Sequence, residues 1–186
     1  NIEYIIIDGN SNDGTVQIIK DNLDLVSNWI SETDSGLYDA MNKGIKMATG
    51  EIVGIINSDD FYHRKDAISK IVEGFSQREI QCVFADVRFV KSNNLDKTIR
   101  YYSSKQFNLG ACSWGFMPAH PTFFTFRCNF EKFGFYRTDF KIAADFELLV
   151  RFLYKHKLPF KYLPVDLIKM RLGGLSTASL KSTWII

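Results

Sequence analysis

Carboxylates stand where two apolar runs of the sequence end. Tyr4–Ile7 leads straight into Asp8, and Glu51–Ile56 leads into a polar turn that closes with the adjacent Asp59 and Asp60. Neighbouring carboxylates repel one another and are costly to desolvate, so a divalent cation is one way to hold them at a strand end. Mg²⁺ and Mn²⁺ take oxygen ligands and bridge carboxylates to phosphates. The alternative is a helix cap or a solvated turn.

The elements that must position these residues are indicated by short apolar runs and helical periodicity. Predicted strands cover residues 4–7, 29–31, 52–56, 83–90, 160–163 and 167–171. Predicted helices begin near residues 16, 37, 66 and 145. Strands and helices that alternate in the first half predict right-handed crossovers, and therefore an α/β domain with a mainly parallel sheet and helices on both faces. Ligands of such sheets bind beyond the carboxyl ends of the strands.

The amino-acid composition limits the classes of protein to which this chain can belong. The 186 residues are 46% hydrophobic and 24% charged, as in folded globular domains, and no apolar run approaches the ~20 residues of a membrane-spanning helix. Residues 1–93 carry 9 Lys and Arg against 15 Asp and Glu, whereas residues 94–186 carry 14 against 6. The acidic half suits a cation and the basic half an anionic ligand or lipid headgroups, although two differently solvated faces would give the same counts. The basic residues are dispersed, which disfavours a nucleic-acid-binding module.

Cysteine usage and the glycine-rich turn exclude further classes. Cys82, Cys112 and Cys128 are an odd number without C-x-x-C spacing, so they predict reduced thiols in a reducing compartment such as the cytoplasm. The segment Asp8–Thr15 has neither the Lys of a P-loop nor the glycine spacing of a dinucleotide-binding fingerprint. A P-loop NTPase and a Rossmann dehydrogenase are therefore disfavoured.

Seven short segments follow one another in a specific order and spacing. They are Ile6–Thr15 (IIDGNSNDGT), Ser31–Gly44 (SETDSGLYDAMNKG), Ala48–Glu51 (ATGE), Asn57–Asp60 (NSDD), Ala119–Phe124 (AHPTFF), Ile142–Leu149 (IAADFELL) and Gly173–Ser176 (GGLS). This pattern resembles the family 2 glycosyltransferases of GT-A fold. The likeness covers nearly the whole chain and is weakest over residues 91–115.

The resemblance implies a reaction and assigns four carboxylates to it. A sugar would pass from a nucleotide-sugar donor (a UDP-, dTDP- or GDP-sugar) to a glycan or lipid-linked acceptor, with inversion at the anomeric carbon. A divalent cation, Mn²⁺ or Mg²⁺, would bind the diphosphate. By position in the motifs, Asp8 would meet the base of the donor, Asp59 its ribose or the metal, and Asp60 the metal. Asp145 would be the general base for the acceptor hydroxyl, and its alternative role is a helix cap.

Five more residues are substrate-binding candidates on the same resemblance. Asp34, Asp39 and Asn42 fall in the segment that lies near the donor in that family. Asp39 and Asn42 are opposite the predicted apolar stripe of their helix, so they face either the site or water. Asp86, in the predicted strand 83–90, is a candidate for acceptor contact or a turn cap. His120 would orient acceptor or phosphate, or else is a buried, hydrogen-bonded histidine.

The resemblance also sets expectations about the extent and location of the domain. The strand and helix that begin the family's fold have no counterpart here, and in that fold the strand lies inside the sheet. We therefore expect residues 1–186 to be a single GT-A domain truncated at its N-terminus. A surface polysaccharide or lipid-linked glycan as product would place the protein in the cytoplasm or in peripheral contact with the inner face of the membrane. The alternative classes are a nucleotidyltransferase of similar architecture, for which a Gly-rich basic loop is missing, and a non-catalytic nucleotide- or glycan-binding fragment.

Overall fold

The computed structural model describes residues 1–172, so the predicted Gly173–Ser176 segment lies outside the described residues. The strands are β1 (Ile5–Asp8), β2 (Asn28–Ser31), β3 (Ile52–Gly54), β4 (Phe61–Tyr62), β5 (Cys82–Lys91), β6 (Asn94–Tyr102), β7 (Phe124–Phe126) and β8 (Phe160–Arg171). The α-helices are α1 (Thr15–Asp21), α2 (Leu37–Met47), α3 (Ala67–Gly74), α4 (Arg127–Phe133) and α5 (Ala144–Leu149). Leu109–Trp114 and His120–Thr122 are 3-10 helices, and Val150–Lys155 is a π-helix that continues α5.

The strands form two sheets. β1 and β2 pair in parallel, and six strands form a second sheet in the order β3-β7-β5-β8-β4 with β6 added on β5. Among residues 1–172, only the β5–β8 pair of this second sheet is parallel. The predicted α/β class is confirmed, but the mainly parallel sheet is in fact mixed. Of the strands that alternate with helices in the first half of the chain, β1 and β2 pair in parallel as predicted. The later strands β3 and β4 pair antiparallel with β7 and β8, and β5 forms a hairpin with β6.

The strands differ from those predicted, and β4, β6 and β7 were not predicted at all. The predicted strands 160–163 and 167–171 are the single strand β8, which continues through Pro164. Strand β6 lies in a stretch for which no element was predicted, because it is an edge strand with mostly exposed residues and therefore lacks an alternating apolar pattern. The predicted strand 52–56 ends at Gly54.

A close approach of backbone and side chain explains the glycine at the end of β3. A Cβ atom at Gly54 would lie 1.9 Å from the Cε1 atom of Phe124 in the paired strand β7. Only glycine therefore fits at this position. The chain leaves β3 directly after it and turns toward Asp59 and Asp60.

Helices cover both faces of the larger sheet and enclose two apolar clusters. The first cluster gathers aromatic and aliphatic side chains from α2, β5, α4, α5 and the π-helix, with Phe84 and Phe152 fully buried. The second packs α3 against the other face, around Ile71 and Leu167. Of the apolar stripe predicted for α2 (Leu37, Met41, Ile45 and Ala48), Met41 and Ile45 are buried, whereas Leu37 is exposed. Tyr38 and Asn42 complete the buried face.

Candidate active site

Asp8 ends β1 beside the end of the parallel strand β2. The Ser31 hydroxyl donates to Asp8 Oδ2 at 2.6 Å, and the backbone N–H of Ser11 donates to the same oxygen at 3.0 Å. Burial acts to raise the pKa of the Asp8 carboxyl, but these hydrogen bonds outweigh it, so the pKa lies below its ordinary value. Asp8 is therefore a buried, ionised hydrogen-bond acceptor at the carboxyl end of a parallel pair.

Asp34 lies next to the turn that follows Asp8. A Cβ atom on Gly9 would be 2.8 Å from Asp34 Oδ2, so the carboxylate touches the backbone at that turn. Its other oxygen accepts the N–H of Gly36 at 2.9 Å, just before α2 begins. Gly36 has a φ of 116°, which glycine adopts without strain. The structure thus places the Asp34 carboxylate against Gly9, the residue that follows Asp8.

Asp39, on the first turn of α2, already has partners on the protein surface. It accepts the N–H of Ser35 at 3.0 Å, which lowers the pKa of its carboxyl, and Lys43 Nζ lies 3.6 Å away. Lys43 in turn pairs with Glu32 at 2.8 Å. These contacts neutralise the charge of Asp39 locally.

Asn42 is on the buried face of α2, where both its amide nitrogen and its amide oxygen are hydrogen-bonded. The amide nitrogen donates to the backbone carbonyl of Tyr136 at 2.8 Å, and the amide oxygen accepts the N–H of the same residue at 2.9 Å. The expectation that Asn42 lies opposite the apolar stripe is therefore wrong. The reason is that the buried face of α2 is broader than the predicted stripe, since it includes Tyr38 and Asn42 beside Met41 and Ile45.

Asp60 is buried in the turn between β3 and β4, where the residue is only 9% exposed. Asn57 donates to Oδ2 at 3.2 Å, whereas Oδ1 has no hydrogen-bond partner within residues 1–172. Burial first, and then the charge of Asp59, raise the pKa of Asp60 to about 6. Arg171, at the end of β8, acts in the opposite direction. An orphaned buried oxygen of this kind carries a free-energy cost unless something binds it.

The residues at this turn fit a divalent cation. A buried carboxylate oxygen without a partner and an adjacent second carboxylate supply hard oxygen ligands, the type that Mg²⁺ and Mn²⁺ prefer. Among the residues that the structure describes, no group of three or more His, Cys, Asp and Glu comes close enough to hold a metal alone. A cation here would take its other ligands from phosphate and water, as Mg²⁺ commonly does.

Asp145 lies in the first turn of α5, with a side chain 14% exposed. The hydroxyl of Tyr38 donates to its Oδ1 at 3.2 Å, and His120 Nε2 is 3.8 Å from Oδ2. Burial lowers the pKa of His120, although the charge of Asp145 opposes that effect, so the imidazole is mostly neutral at pH 7. Ala143, just before α5, has a φ of 68°, a left-handed backbone conformation that a residue with a side chain seldom adopts.

Asp86 is fully bonded inside β5. It accepts hydrogen bonds from the hydroxyl groups of Tyr101 and Tyr162 and from the N–H of Ser104, the last two at 2.8 Å. The hydroxyl of Ser104 also accepts the N–H of Ala119, the residue before His120. Asp86 therefore joins β5, β6 and β8 to the segment that carries His120.

The structure groups the predicted residues at three places. Asp8 and Asp34 lie at the end of β1, Asp59 and Asp60 lie in the turn after β3, and Asp145 lies beside His120. Helix α2 connects the first place with the third, because Asp34 precedes it and Tyr38 in its first turn reaches Asp145. The sequence reasoning missed Tyr38. Its signal was available, since Tyr38 belongs to the SETDSGLYDAMNKG segment.

Fold and site together define an α/β domain of the GT-A glycosyltransferase type. The structure is similar to that of S. aureus TarS 1–349, with a TM-score of 0.70 at 16% identity over 92% of this chain and 51% of that chain. It is also similar to TarS 1–349 in complex with UDP-GlcNAc, with a TM-score of 0.68 at 16% identity over 95% and 52%. The mannosyltransferase PcManGT from Pyrobaculum calidifontis, in complex with GDP-Man and Mn²⁺, gives 0.63 at 20% identity over 91% and 47%. These likenesses show the fold.

The chain belongs to glycosyl transferase family 2, because the model of that family matches residues 1–136. An uncharacterized glycosyltransferase of Mycobacterium tuberculosis is 33% identical over 154 residues, which are 81% of this chain and 56% of the relative. A PGL/p-HBAD biosynthesis glycosyltransferase of Mycobacterium bovis is 27% identical over 179 residues, 94% of this chain and 67% of the relative. This chain thus spans between about half and two thirds of the length of the curated relatives it matches. Within residues 1–172, no helix has the length and apolar character to cross a membrane.

Proposed function

We propose that this chain forms the donor- and acceptor-binding domain of an inverting glycosyltransferase, which moves a sugar from a nucleotide sugar to a hydroxyl of a glycan or lipid-linked acceptor. Family membership supports the reaction type, and the relatives of similar fold solved with UDP-GlcNAc or with GDP-Man and Mn²⁺ support a nucleotide-sugar donor. The observation that carries the proposal is the carboxylate of Asp145. Tyr38 binds one of its oxygens, and the other makes no hydrogen bond within residues 1–172.

Asp145 Oδ2 acts as the general base in this proposal. The 3.8 Å between Oδ2 and His120 Nε2 leaves room for a hydroxyl oxygen within hydrogen-bond distance of both atoms. The acceptor hydroxyl gives its proton to Oδ2, while its oxygen attacks the anomeric carbon and the nucleoside diphosphate leaves from the opposite face. Neutral His120 donates its Nε2–H to the acceptor oxygen and so orients it.

The donor binds along the strand ends that carry the other carboxylates. Asp8 and Asp34, together at the end of β1, bind the nucleoside. Asp59 and Asp60 hold the divalent cation, and the orphaned Oδ1 of Asp60 supports this assignment. The cation, when bound, neutralises the charge that develops on the diphosphate as it leaves.

Three predicted substrate-binding residues act through protein contacts in this proposal. The amide of Asn42 and the carboxylate of Asp86 are satisfied by backbone and tyrosine donors, and Asp39 is paired with Lys43. We therefore assign Asn42 and Asp86 to positioning of the site. Asp39 stabilises the start of α2, where a negative charge is favourable.

A panel of UDP-, dTDP- and GDP-sugars, with and without Mn²⁺, tests the donor by thermal shift, because selective binding raises the melting temperature by mass action. We expect stabilisation by one nucleotide class, and only with the metal. The Asp145→Asn variant of the natural full-length chain tests the base: its shape and hydrogen-bonding reach are kept, but it cannot take the proton. Turnover should fall roughly 10²–10⁴-fold with donor binding unchanged. The predicted alternative of a helix cap is wrong, because Ala143 occupies the N-cap position of α5 and no side chain within residues 1–172 caps this helix. Full turnover in this variant would overturn the assignment of Asp145 as the base.

The gap between the two sheets supports a proposal about the extent of the domain. Within residues 1–172, β1 pairs only with β2 and β3 only with β7. An open cleft of about 720 Å³ lies beside β3 and is lined by Ile2, Ile52, Val72 and Phe126, among others. We propose that one further strand of the natural GT-A domain pairs between β1 and β3. Hydrogen exchange should then be slower for the β3 amides of the natural full-length chain than for those of residues 1–186 alone.

The type of acceptor determines whether the protein acts at the membrane surface or away from it. A lipid-linked acceptor would bring the domain into peripheral contact with the inner face of the membrane, whereas a free glycan would leave it in the cytoplasm. Sedimentation with anionic phospholipid vesicles separates the two, and binding that weakens with salt would support the membrane location.

A further inference from the structure

We propose that Tyr38 is a positioning residue for the base: its hydroxyl holds one oxygen of Asp145, so that the other stays directed at the acceptor hydroxyl. The inference deepens the proposed function and rests on it. No motif role was predicted for Tyr38, and its hydroxyl is the one protein donor that reaches the Asp145 side chain at hydrogen-bond distance within residues 1–172.

The geometry separates the two carboxylate oxygens. Tyr38 donates to Oδ1 at 3.2 Å, while Oδ2 is the oxygen on the side of His120. A carboxylate that is bonded at one oxygen loses freedom to rotate, so its second oxygen keeps one orientation toward a substrate. Burial, and then the charge of Asp145, raise the pKa of Tyr38 to about 12, so the hydroxyl keeps the proton that it donates.

The Tyr38 ring is held by the segment around Tyr136. The two rings stack with centroids 5.7 Å apart and planes at 15°. One helical turn from Tyr38, Asn42 binds both backbone groups of Tyr136 at 2.8 and 2.9 Å. Residues four apart lie on one face of a helix, so α2 contacts this segment through both Tyr38 and Asn42.

Arg151 ties the same segment to the helix that carries Asp145. Its guanidinium donates to the carbonyls of Phe133, Gly134 and Phe135 and forms a two-point pair with Glu147 on α5. All five N–H donors of the guanidinium are used, which makes this a rigid connection. Residues 133–136 are therefore hydrogen-bonded both to α2, through Asn42, and to the helix that carries Asp145, through Arg151. These contacts fix the distance between the Tyr38 hydroxyl and Asp145.

The test replaces Tyr38 by Phe in the natural full-length chain, since Phe keeps the stacked ring and removes only the hydroxyl. The assay is release of nucleoside diphosphate from UDP-GlcNAc, GDP-mannose and dTDP-glucose with Mn²⁺, in which water takes the place of the acceptor. We expect kcat to fall roughly 5–30-fold, the worth of one positioning hydrogen bond. The KM for the donor should not change, and the melting temperature should fall by only the few degrees that the loss of one hydrogen bond costs. Tyr154→Phe, at a half-exposed tyrosine of the π-helix, is the matched control and should behave as the native chain does.

The Asp145→Asn background separates the two proposals. If Tyr38 acts through Asp145, Tyr38→Phe should add no further loss of kcat to Asp145→Asn, because residues that act as a unit are not additive. A further loss would overturn the inference and leave the base assignment standing. Full turnover in Asp145→Asn alone would overturn the proposed function, and the role of Tyr38 with it.

A crystal structure of Tyr38→Phe gives a readout that does not depend on turnover. The Asp145 side chain should then occupy more than one rotamer, whereas Tyr136 and residues 133–135 should stay in place. A single Asp145 rotamer identical to that of the native chain would overturn the inference.

Discussion

Asp60 and Asp86 are both buried carboxylates, 9% and 2% exposed, but their surroundings differ in kind. Asp86 lies in the middle of β5, where two tyrosine hydroxyls and a backbone N–H donate to it. Asp60 lies in a turn, receives one hydrogen bond from Asn57 and keeps a buried oxygen without a partner in the described part of the chain. Within residues 1–172, both oxygens of Asp86 are hydrogen-bonded, whereas only one oxygen of Asp60 is.

The difference is consistent with the proposed roles, in which Asp86 stabilises the fold and Asp60 binds a ligand. A satisfied buried carboxylate fixes the elements that donate to it, whereas an orphaned one costs free energy until a cation or donor binds. Such local costs persist at functional sites because the surrounding structure offsets them. Asp145 is intermediate, with one oxygen bonded to Tyr38 and the other without a hydrogen bond in residues 1–172. The number of hydrogen-bond partners thus follows the role that we propose for each of the three carboxylates.

The largest expected effect is on metal-dependent binding when Asp60 becomes Asn. The Asp60→Asn variant should lose affinity for Mn²⁺ with a nucleotide sugar at least as strongly as the roughly 10–100-fold that loss of a supporting residue costs a metal site. Isothermal titration with UDP-GlcNAc and GDP-mannose, with and without Mn²⁺, measures it. Asp86→Asn is the matched control and should keep the native metal dependence. Equal losses in both variants would erase the distinction drawn between the two carboxylates.

The second effect is on stability when Asp86 becomes Asn. The substitution removes the charge that Tyr101, Tyr162 and Ser104 donate to, and an amide cannot accept all three hydrogen bonds. The free energy of unfolding should fall by about 2–4 kcal/mol, since hydrogen bonds to buried charged groups are the costly ones to lose. Urea unfolding measures the change. An unchanged midpoint of urea unfolding would mean that the hydrogen bonds of Asp86 do not hold β5, β6 and β8 together.

The same substitution at Asp60 should have the opposite sign. The pKa of Asp60 is raised from 3.8 to about 6, so the folded chain holds this proton more tightly than the unfolded chain does. The native state is thus penalised as pH rises from about 4 to about 6, and the penalty is constant above that range. Asp60→Asn removes it, so without metal the variant should be more stable by about 1–3 kcal/mol at pH 7.5 and by less at pH 5. A variant that is less stable than the native chain at pH 7.5 would contradict the raised pKa.

The carboxylates could be named from the sequence alone, but most of their hydrogen-bond partners could not. Asp8, Asp60 and Asp145 fall in segments with a recognisable pattern, and strand ends are where an α/β fold exposes such groups. The partners of Asp86 come from β6 and β8, and β6 was not predicted because an exposed edge strand has no apolar alternation. Contacts between residues far apart in the chain leave no local periodicity.

The buried face of α2 was misjudged for a similar reason. The prediction included Leu37 in the apolar stripe and placed Asn42 opposite it, although only Met41 and Ile45 of that stripe are well buried. The structure buries Asn42 because its amide pairs with the backbone of Tyr136, 94 residues further along the chain. A polar residue can thus belong to a core when a distant backbone supplies both of its partners.

The smallest expected effect isolates one of the three donors to Asp86. Tyr101 is about half exposed, yet its hydroxyl reaches Asp86, and Arg88 lies over its ring at 5.4 Å. Tyr101→Phe keeps the ring and this contact, so only the hydrogen bond is lost. Burial, together with the hydrogen bond to Asp86, raises the pKa of Tyr101, which keeps the hydroxyl protonated as a donor. Unfolding should become easier by about 0.5–1.5 kcal/mol, the usual net worth of one hydrogen bond. In the Asp86→Asn background the loss should shrink, because the acceptor charge is already gone. Nucleotide-sugar affinity should not change in either background. If it fell in Tyr101→Phe while stability stayed the same, Asp86 and Tyr101 would contact the substrate directly, and Asp86 would belong with Asp60 after all.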